Sequence, residues 1–527
     1  MDNTNKKSPV NITERKFNRL LSRRTQKLLS ITAILAECKS PDRFMRRPFL
    51  AELLSQSMQI EEYLDAYGAP NNRHWRPLRS LVATTKLFSD VSYELLHIKH
   101  QIPSYHLHLI QQDFLKATQE TCEFTGNILL QASRQIVALA SYLELPVKKE
   151  PDAIERYGEE LPPGKLPRDS GARRVETASD TIIRLATVSL NLASESTVLH
   201  GSQEDNWNER FNYTPQSFTE ENLRLLELRF HNLQSLYDTH ISGTGTEEID
   251  ADLPVLRGHI SVIFHLLRTA TAFAHYYERH LLAAMPRTTR SRGRAAEPVL
   301  HSVVKKQELL NALMQYSLAY SSRFLAGIRN LCQSMLKRYT IVTEIELPVP
   351  PYRGFHVRPA TLISRLVNHY GTSVRMELDN ERYDASLPLE LFRANEKINA
   401  QKRRSIASEI VRLQMASGEA KNKDFERVVR GVVLMLAERS KVVIYEQPLK
   451  LPEIAAAQEG TLLERVIAEI NRLFATGKID FTADMKVKFI GGSQVLKDIE
   501  LLAKAGYGED NFGNNIALPK QLTYLRK

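Results

Sequence analysis

The hydrophobic period of this chain changes once, at Tyr339, and the change limits what each part can become. Before it, apolar residues recur every three to four positions. From Phe17 to Ala36, for example, Leu20, Leu21, Leu28, Leu29, Ile31 and Ile34 fall at helical spacing. The same spacing predicts helices at 43–66, 76–101, 104–145, 178–199, 217–240 and 250–284. A long helix over 298–338 opens at Glu297-Pro298, where proline suits a first helical turn. After Tyr339 the residues alternate instead. TIVTEIELPVP at 340–350 reads as a strand, and VRMELDN at 374–380 sends Val374, Met376 and Leu378 to one face, Arg375 and Glu377 to the other. KVVIYEQP at 441–448 reads as a short buried strand ended by proline, with helices predicted at 359–370, 388–416, 424–439 and 461–475. The expected fold class is multidomain: an all-α N-terminal region of helical bundles, then an α+β region.

At 527 residues the chain exceeds a single core and suggests about three domains. A polar stretch with five prolines begins at Pro146 and reads as a linker, and PRTTRSRGRAAEP at 286–298 has the same character. The expected division is a helical domain at 1–145, a linker at 146–177 and a second helical domain at 178–338. An α+β domain at 339–480 follows, with an insertion at about 388–440, and residues 481–527 are a C-terminal extension.

Composition excludes several classes. No run approaches about 18 uncharged apolar residues, so no transmembrane helix is expected. The start, MDNTNKKSPVNITERK, lacks the apolar core of a secretory signal. Cys38, Cys122 and Cys332 lie far apart, without metal-ligand spacing or a disulfide framework. A cytoplasmic, bacterial-type protein with no metal and no cofactor is the expectation. The net charge of +10 gathers in RKFNRLLSRRTQK and in RTTRSRGR at 287–294. Such runs can touch nucleic acid or anionic lipid. A solvated helix face and a linker are the plainer reading, because no base-reading motif accompanies them.

Chemistry concentrates in Gly354-Phe355-His356-Val357-Arg358-Pro359-Ala360, between the first strand and the helix after it. Ile363, Leu366, Val367 and Tyr370 share one face of that helix, and Pro359 fits its first turn. His356 and Arg358 therefore stand at a helix N-terminus, where unpaired N–H groups and the positive end of the helix dipole favour an anion such as a phosphoryl group. Arg358 could neutralise phosphoryl oxygens, and Gly354 allows a tight approach in the turn.

This heptapeptide, with its strand before and helix after, resembles the phosphorylation-site signature of HPr, the histidine-containing phosphocarrier of the phosphoenolpyruvate-dependent sugar phosphotransferase system. The resemblance covers about a quarter of the chain. It implies an HPr-like open-faced sandwich in the order strand, helix, two strands, helix, strand, helix. The strands at 340–350 and 374–380, a turn near Asn380-Glu381 and a strand at 382–386 fit that order, and the strand at 441–447 with the helix at 461–475 would complete it. It also implies that His356 is the phosphoacceptor, that Arg358 stabilises the phosphoryl group, and that Gly354, Pro359 and Ala360 shape the phosphate-binding turn. The partners implied are an enzyme I-like donor and unidentified acceptor proteins, with a role in regulating sugar transport. The chain would be a carrier rather than a turnover enzyme. Two departures stand out: the region is longer than an HPr domain, and Phe355 replaces the usual aliphatic residue. Some family members carry a regulatory serine before the second helix. Ser386 lies nearby, either in that role or as a helix cap. The alternative function is a non-catalytic HPr-like interaction or scaffold protein.

Other clusters are weaker. His97, His100, His106 and His108 lack a completing ligand and read as a helical corner with exposed histidines. His259, His265, His275 and His280 do not share one helix face and read as packing. Gly491-Gly492-Ser493 lies between a possible strand at 485–490 and a helix, without a P-loop lysine, and reads as a turn with Ser493 as cap. GYGEDNFGNN near the end reads as surface turns.

Overall fold

The computed structural model describes residues 11–107, 111–148, 178–196, 218–282, 303–412, 425–446, 449, 460–482 and 484–526. They divide into two compact units, Met1–Cys332 and Gln333–Lys527.

The first unit is helical. Its elements are α1 (Glu14–Arg24), α2 (Gln26–Glu37), α3 (Arg47–Ala66), α4 (Arg76–Gln101), α5 (Gln111–Tyr142), α6 (Ala178–Glu195), α7 (Glu220–His240), α8 (Gly245–Ile249), α9 (Asp252–Tyr276), α10 (Lys306–Asn311) and α11 (Ala319–Tyr339), the last running past the boundary. The single helix expected over 17–36 is broken between α1 and α2 at Thr25, whose hydroxyl donates to Leu21 O at 2.9 Å. Threonine bonding back to the preceding turn competes with the helix ladder. A π-helical turn, Tyr277–Leu282, continues α9. Where the sequence suggests two helical domains, residues 1–332 form one compact unit. Helix α4 packs along α9, with Thr84 Oγ1 3.2 Å from Tyr276 Oη and Arg268 paired to Asp90 at 3.0 Å. Residues 149–177 and 286–298, including the basic run at 287–294, lie outside the described residues. Among the described residues no helix is long and apolar enough to cross a membrane.

The second unit is α+β. It contains β1 (Val342–Pro348), α12 (Val357–Tyr370), β2 (Arg375–Leu378), β3 (Glu381–Asp384), α13 (Pro388–Arg412), α14 (Phe425–Glu438), β4 (Val442–Ile444), α15 (Leu462–Ala475), β5 (Ile479–Phe481), β6 (Lys486–Gly492) and α16 (Ser493–Lys504). Four strands form an antiparallel sheet in the order β1-β6-β2-β3. Its register explains its two faces. Ile345, Phe489, Met376 and Tyr383 form one cross-strand row, and the next row is Glu346, Lys488, Glu377 and Arg382. The first row joins the core with Ile363, Leu366 and Val367 of α12 and Val495 and Ile499 of α16. The second alternates in charge, so each cross-strand pair is attractive. Burying a side chain the size of Phe489 contributes about 2–3 kcal/mol. Asp379 and Asn380 both have positive φ, as a two-residue hairpin of mirror-image turn type needs.

The strand expected at 441–447 does not join this sheet. β4 pairs with β5, and with α14, α15 and the end of α13 they enclose a second core around Ile406, Ile410, Val429, Leu436, Val466, Ile470 and Phe481. The place beside β1 belongs to β6, from the part expected to be an extension. A central strand must pair on both edges. The seven residues of β6 do so against β1 and β2 and turn Val487 and Phe489 inward, whereas β4 offers only three. The insertion therefore runs from the second half of α13 to β5 rather than over 388–440. Gly491 and Gly492 belong to β6. A Cβ on Gly491 would come within 2.8 Å of Val374 Cγ2, so the glycine permits close strand approach. Gly492, not Ser493, occupies the cap position of α16.

Candidate functional site

The loop joining β1 to α12 is held residue by residue. Arg353 and Gly354 both take left-handed conformations, at φ 53° and 65°. A Cβ on Gly354 would overlap Asn395 Oδ1. That oxygen accepts from Phe355 N–H at 2.9 Å, while Asn395 Nδ2 donates to Arg353 O at 3.1 Å. Arg353 N–H donates to Asp480 Oδ2 at 2.8 Å. Asp480 Oδ1 in turn meets Lys402 Nζ at 3.0 Å, and both side chains are 3% exposed. Phe355 is fully buried against Phe489 and Tyr507. The inserted lobe, through Asp480 of β5, thus fixes the turn that presents His356.

His356 is the N-cap residue of α12, with extended backbone. Ala360 N–H donates to His356 O at 3.1 Å and closes the first turn, and Pro359 and Ala360 are buried. No side chain caps the helix, and Pro359 has no N–H, so the amides of Val357 and Arg358 face outward from the positive end. The imidazole stands edge-on to Tyr352, with ring centroids 5.3 Å apart, and is one-quarter exposed. Its Nε2 lies 2.7 Å from Glu509 Oε2. No hydrogen bond to Nδ1 is found among the described residues. Arg358 donates through one terminal amine to Asn515 Oδ1; its buried Nε makes no hydrogen bond and lies 4.0 Å from Glu509 Oε1. Such an unsatisfied donor costs about 1–3 kcal/mol, or more for a charged group, until an acceptor arrives.

Glu509 was not legible as a site residue. It sits in the segment that reads as surface turns, yet it is only 7% exposed. The segment is tightly organised. Tyr507, at φ 56°, donates its hydroxyl to Pro348 O at 2.7 Å, and burial pushes that hydroxyl well above its usual range. Glu509 and Asn515 form a β-bridge. Asp510 closes the turn between them by accepting from Asn514 Nδ2 (2.9 Å) and from the N–H groups of Asn514 (2.8 Å) and Phe512 (2.9 Å). Chiefly the Asn514 side chain, then these amides, hold its carboxyl below the usual range. Phe512 stands 62% exposed, with its ring 6.4 Å from Tyr445 of the inserted lobe. The density of Gly, Asn and Asp announces turns, but not which carboxylate they aim inward.

Ser386 lies elsewhere in the unit, against α12. Its carbonyl accepts from Ser364 Oγ and Asn368 Nδ2, and its N–H donates to Asp384 Oδ1 at 2.8 Å. Leu387 directly precedes α13, so Ser386 is not the cap. Its hydroxyl makes no hydrogen bond among the described residues.

The remaining histidines do not assemble. His100 and His106 are exposed, and His108 lies outside the described residues. His97 departs from the expected exposed corner and packs on His265, with centroids 4.5 Å apart. His259 is buried with Nδ1 2.8 Å from Val255 O, and His275 Nδ1 lies 3.0 Å from Glu220. Among the described residues no group of three or more His, Cys, Asp or Glu could hold a metal ion. In the helical unit, α3, α4, α7 and α9 border a cleft of about 1200 Å³ lined by Glu61, Arg79, Lys86, Asp90, Arg268 and His280. Most of its charges are paired with one another: Glu61 with Arg79 and Lys86, Asp90 with Arg268. No family model, curated protein or solved structure matches this chain.

Proposed function

We propose that the second unit is an HPr-like phosphocarrier domain with an inserted lobe, in which His356 accepts a phosphoryl group on a ring nitrogen from an enzyme I-like, phosphoenolpyruvate-dependent donor. The observation that carries the reading is one of placement. At the uncapped start of α12, among the described residues, an imidazole with an unbonded nitrogen stands two residues from an arginine whose buried Nε has no acceptor. An incoming phosphoryl group would supply that acceptor, and the outward amides of Val357 and Arg358 would face its oxygens. A lone pair of the ring forms the N–P bond, while the donor's bond to phosphorus breaks and the donor keeps its electron pair. Transfer to an acceptor protein reverses the sequence. The chain order strand, helix, two strands, helix, strand, helix supports the reading once the inserted lobe is set aside. The helical unit is then a regulatory or partner-binding region.

The test is labelling by radioactive phosphoenolpyruvate and enzyme I from the same organism. Acid-labile label on the wild type and none on His356→Ala is the expected result. Absence of label while an ordinary HPr is labelled in parallel would overturn the proposal and favour a docking protein.

A further inference from the structure

The interaction that most distinguishes this site is the one between His356 and a residue 153 positions later in the chain. A carboxylate can only accept, so at 2.7 Å the neutral imidazole must carry its proton on Nε2 to satisfy Glu509. That leaves the lone pair on Nδ1, the nitrogen without a partner among the described residues. Glu509 is itself nearly buried, and it is held by the bridge to Asn515 and by Tyr507 bonded to Pro348. A buried carboxylate with a single fixed orientation is costly unless it faces positive charge. Here it faces Arg358, 4.0 Å away, and a ring that becomes positive when phosphorylated.

We infer that Glu509 is a positioning residue for phosphotransfer at His356: it fixes the ring tautomer and balances the charge the ring gains. This rests on the phosphocarrier reading above. As Nδ1 attacks, its lone pair becomes the N–P bond, the donor departs with its electron pair, and the ring with Nε2–H intact carries one positive charge opposite the Glu509 carboxylate. On onward transfer the N–P electrons return to Nδ1 and the ring leaves as a neutral imidazole, its Nε2 proton never having moved. Without Glu509 both directions lose the compensating charge.

Full-length wild type and Glu509→Gln are compared in two measurements. In the first, ¹⁵N-histidine NMR of the unphosphorylated protein reads the His356 tautomer. Wild type should show one tautomer with the proton on Nε2, and the variant a mixture. In the second, the initial rate of labelling by phosphoenolpyruvate and enzyme I should fall about tenfold to a hundredfold in Glu509→Gln, the scale of losing the partner that orients a histidine ring. Tyr507→Phe loosens the same segment but keeps the carboxylate, and it should leave the tautomer unchanged. Equal labelling rates and an unchanged tautomer in Glu509→Gln would overturn the role of Glu509 and leave His356 as phosphoacceptor standing. An equal tautomer loss in Tyr507→Phe would reduce Glu509 to part of the packing. No label on the wild type would instead remove the phosphocarrier reading and this inference with it.

Discussion

Each unit of this protein buries a glutamate between a histidine and an arginine, and the two arrangements end differently. In the helical unit, Glu94 Oε1 lies 3.1 Å from His265 Nδ1 and 3.1 Å from Arg268, whose other amine reaches Asp90 at 3.0 Å. Burial pushes the Glu94 carboxyl up, but His265, through its hydrogen bond and charge, and then Arg268 outweigh it and hold the group below its usual range. In the α+β unit, Glu509 meets His356 at 2.7 Å, while Arg358 stands 4.0 Å off with its Nε unbonded. The first arrangement sets two carboxylates against the arginine and the histidine. The second sets one carboxylate against the same two and places them at a helix N-terminus. Similar residue types therefore build a network in one unit whose arginine meets two carboxylates, and in the other a site whose arginine keeps an unbonded, buried Nε.

A buried Arg358 Nε without a hydrogen bond is tolerated only on a rigid frame, and the largest expected effect tests that frame. Lys402→Met leaves Asp480 buried without its cation, which should cost about 3–5 kcal/mol. It should also slow phosphoryl acceptance, because Asp480 holds Arg353 N–H. Denaturant unfolding of the full chain measures the first, and the labelling assay the second. Unchanged labelling in a folded Lys402→Met protein would show that the inserted lobe does not set the His356 loop.

The two glutamates can then be compared directly. Glu94→Gln breaks a network in which every partner is engaged, and a loss of about 2–3 kcal/mol is expected. Glu509→Gln keeps a hydrogen-bond acceptor and relieves no crowded network, so about 1 kcal/mol or less is expected. Equal losses in urea unfolding would erase the distinction between the two arrangements.

Gly354→Ala ranks next. The left-handed conformation costs a non-glycine residue about 1–2 kcal/mol. The added Cβ would also displace Asn395, freeing the buried N–H of Phe355. A total near 2 kcal/mol is expected, with labelling slowed more than tenfold, since His356 N–H donates directly to Gly354 O at 2.8 Å. Labelling at the wild-type rate would show that the turn tolerates a looser His356 than the geometry suggests.

How much of this was legible follows the range of each interaction. Helices and strands show in local spacing: α4 starts and ends where the periodicity places it, and Pro359 marks the first turn of α12. The turn expected near Asn380-Glu381 lies one residue earlier, at Asp379-Asn380, and the strand after it begins at Glu381. β6 was visible as a possible strand, but nothing local says that it, rather than Val442–Ile444, enters the sheet; that is decided by pairing with β1, more than 130 residues earlier. Nothing local marks Lys402 and Asp480 as a buried pair, because the burial of each depends on the other being there. Glu509 is the extreme case. Its partner lies 153 positions away, and its neighbours advertise only a turn.

The smallest expected effect separates the two regions by acid. His280, on the π-helical turn, is pushed down to about 4, by burial first and then by the charges of His275, Arg79 and Lys86 around it. His97 is lowered too, by burial and then by His265. A histidine depressed in the folded state contributes stability that is complete above its unfolded value, near 6.5, and is lost as pH falls towards the folded value, because the unfolded chain binds the proton more readily. Between pH 7 and pH 5 the helical unit should therefore weaken, while Glu94, held below its usual range, still contributes. Its network fails only at lower pH. Thermal unfolding of wild type and His280→Gln over that interval checks this. The variant carries no proton to bind there, so its Tm should fall by a few degrees less than that of the wild type. Parallel curves would mean that the turn opens enough to solvate His280 in the native protein. The acid response of the helical unit would then have to come from His97, whose ring is pressed against His265 beside Glu94 and Arg268.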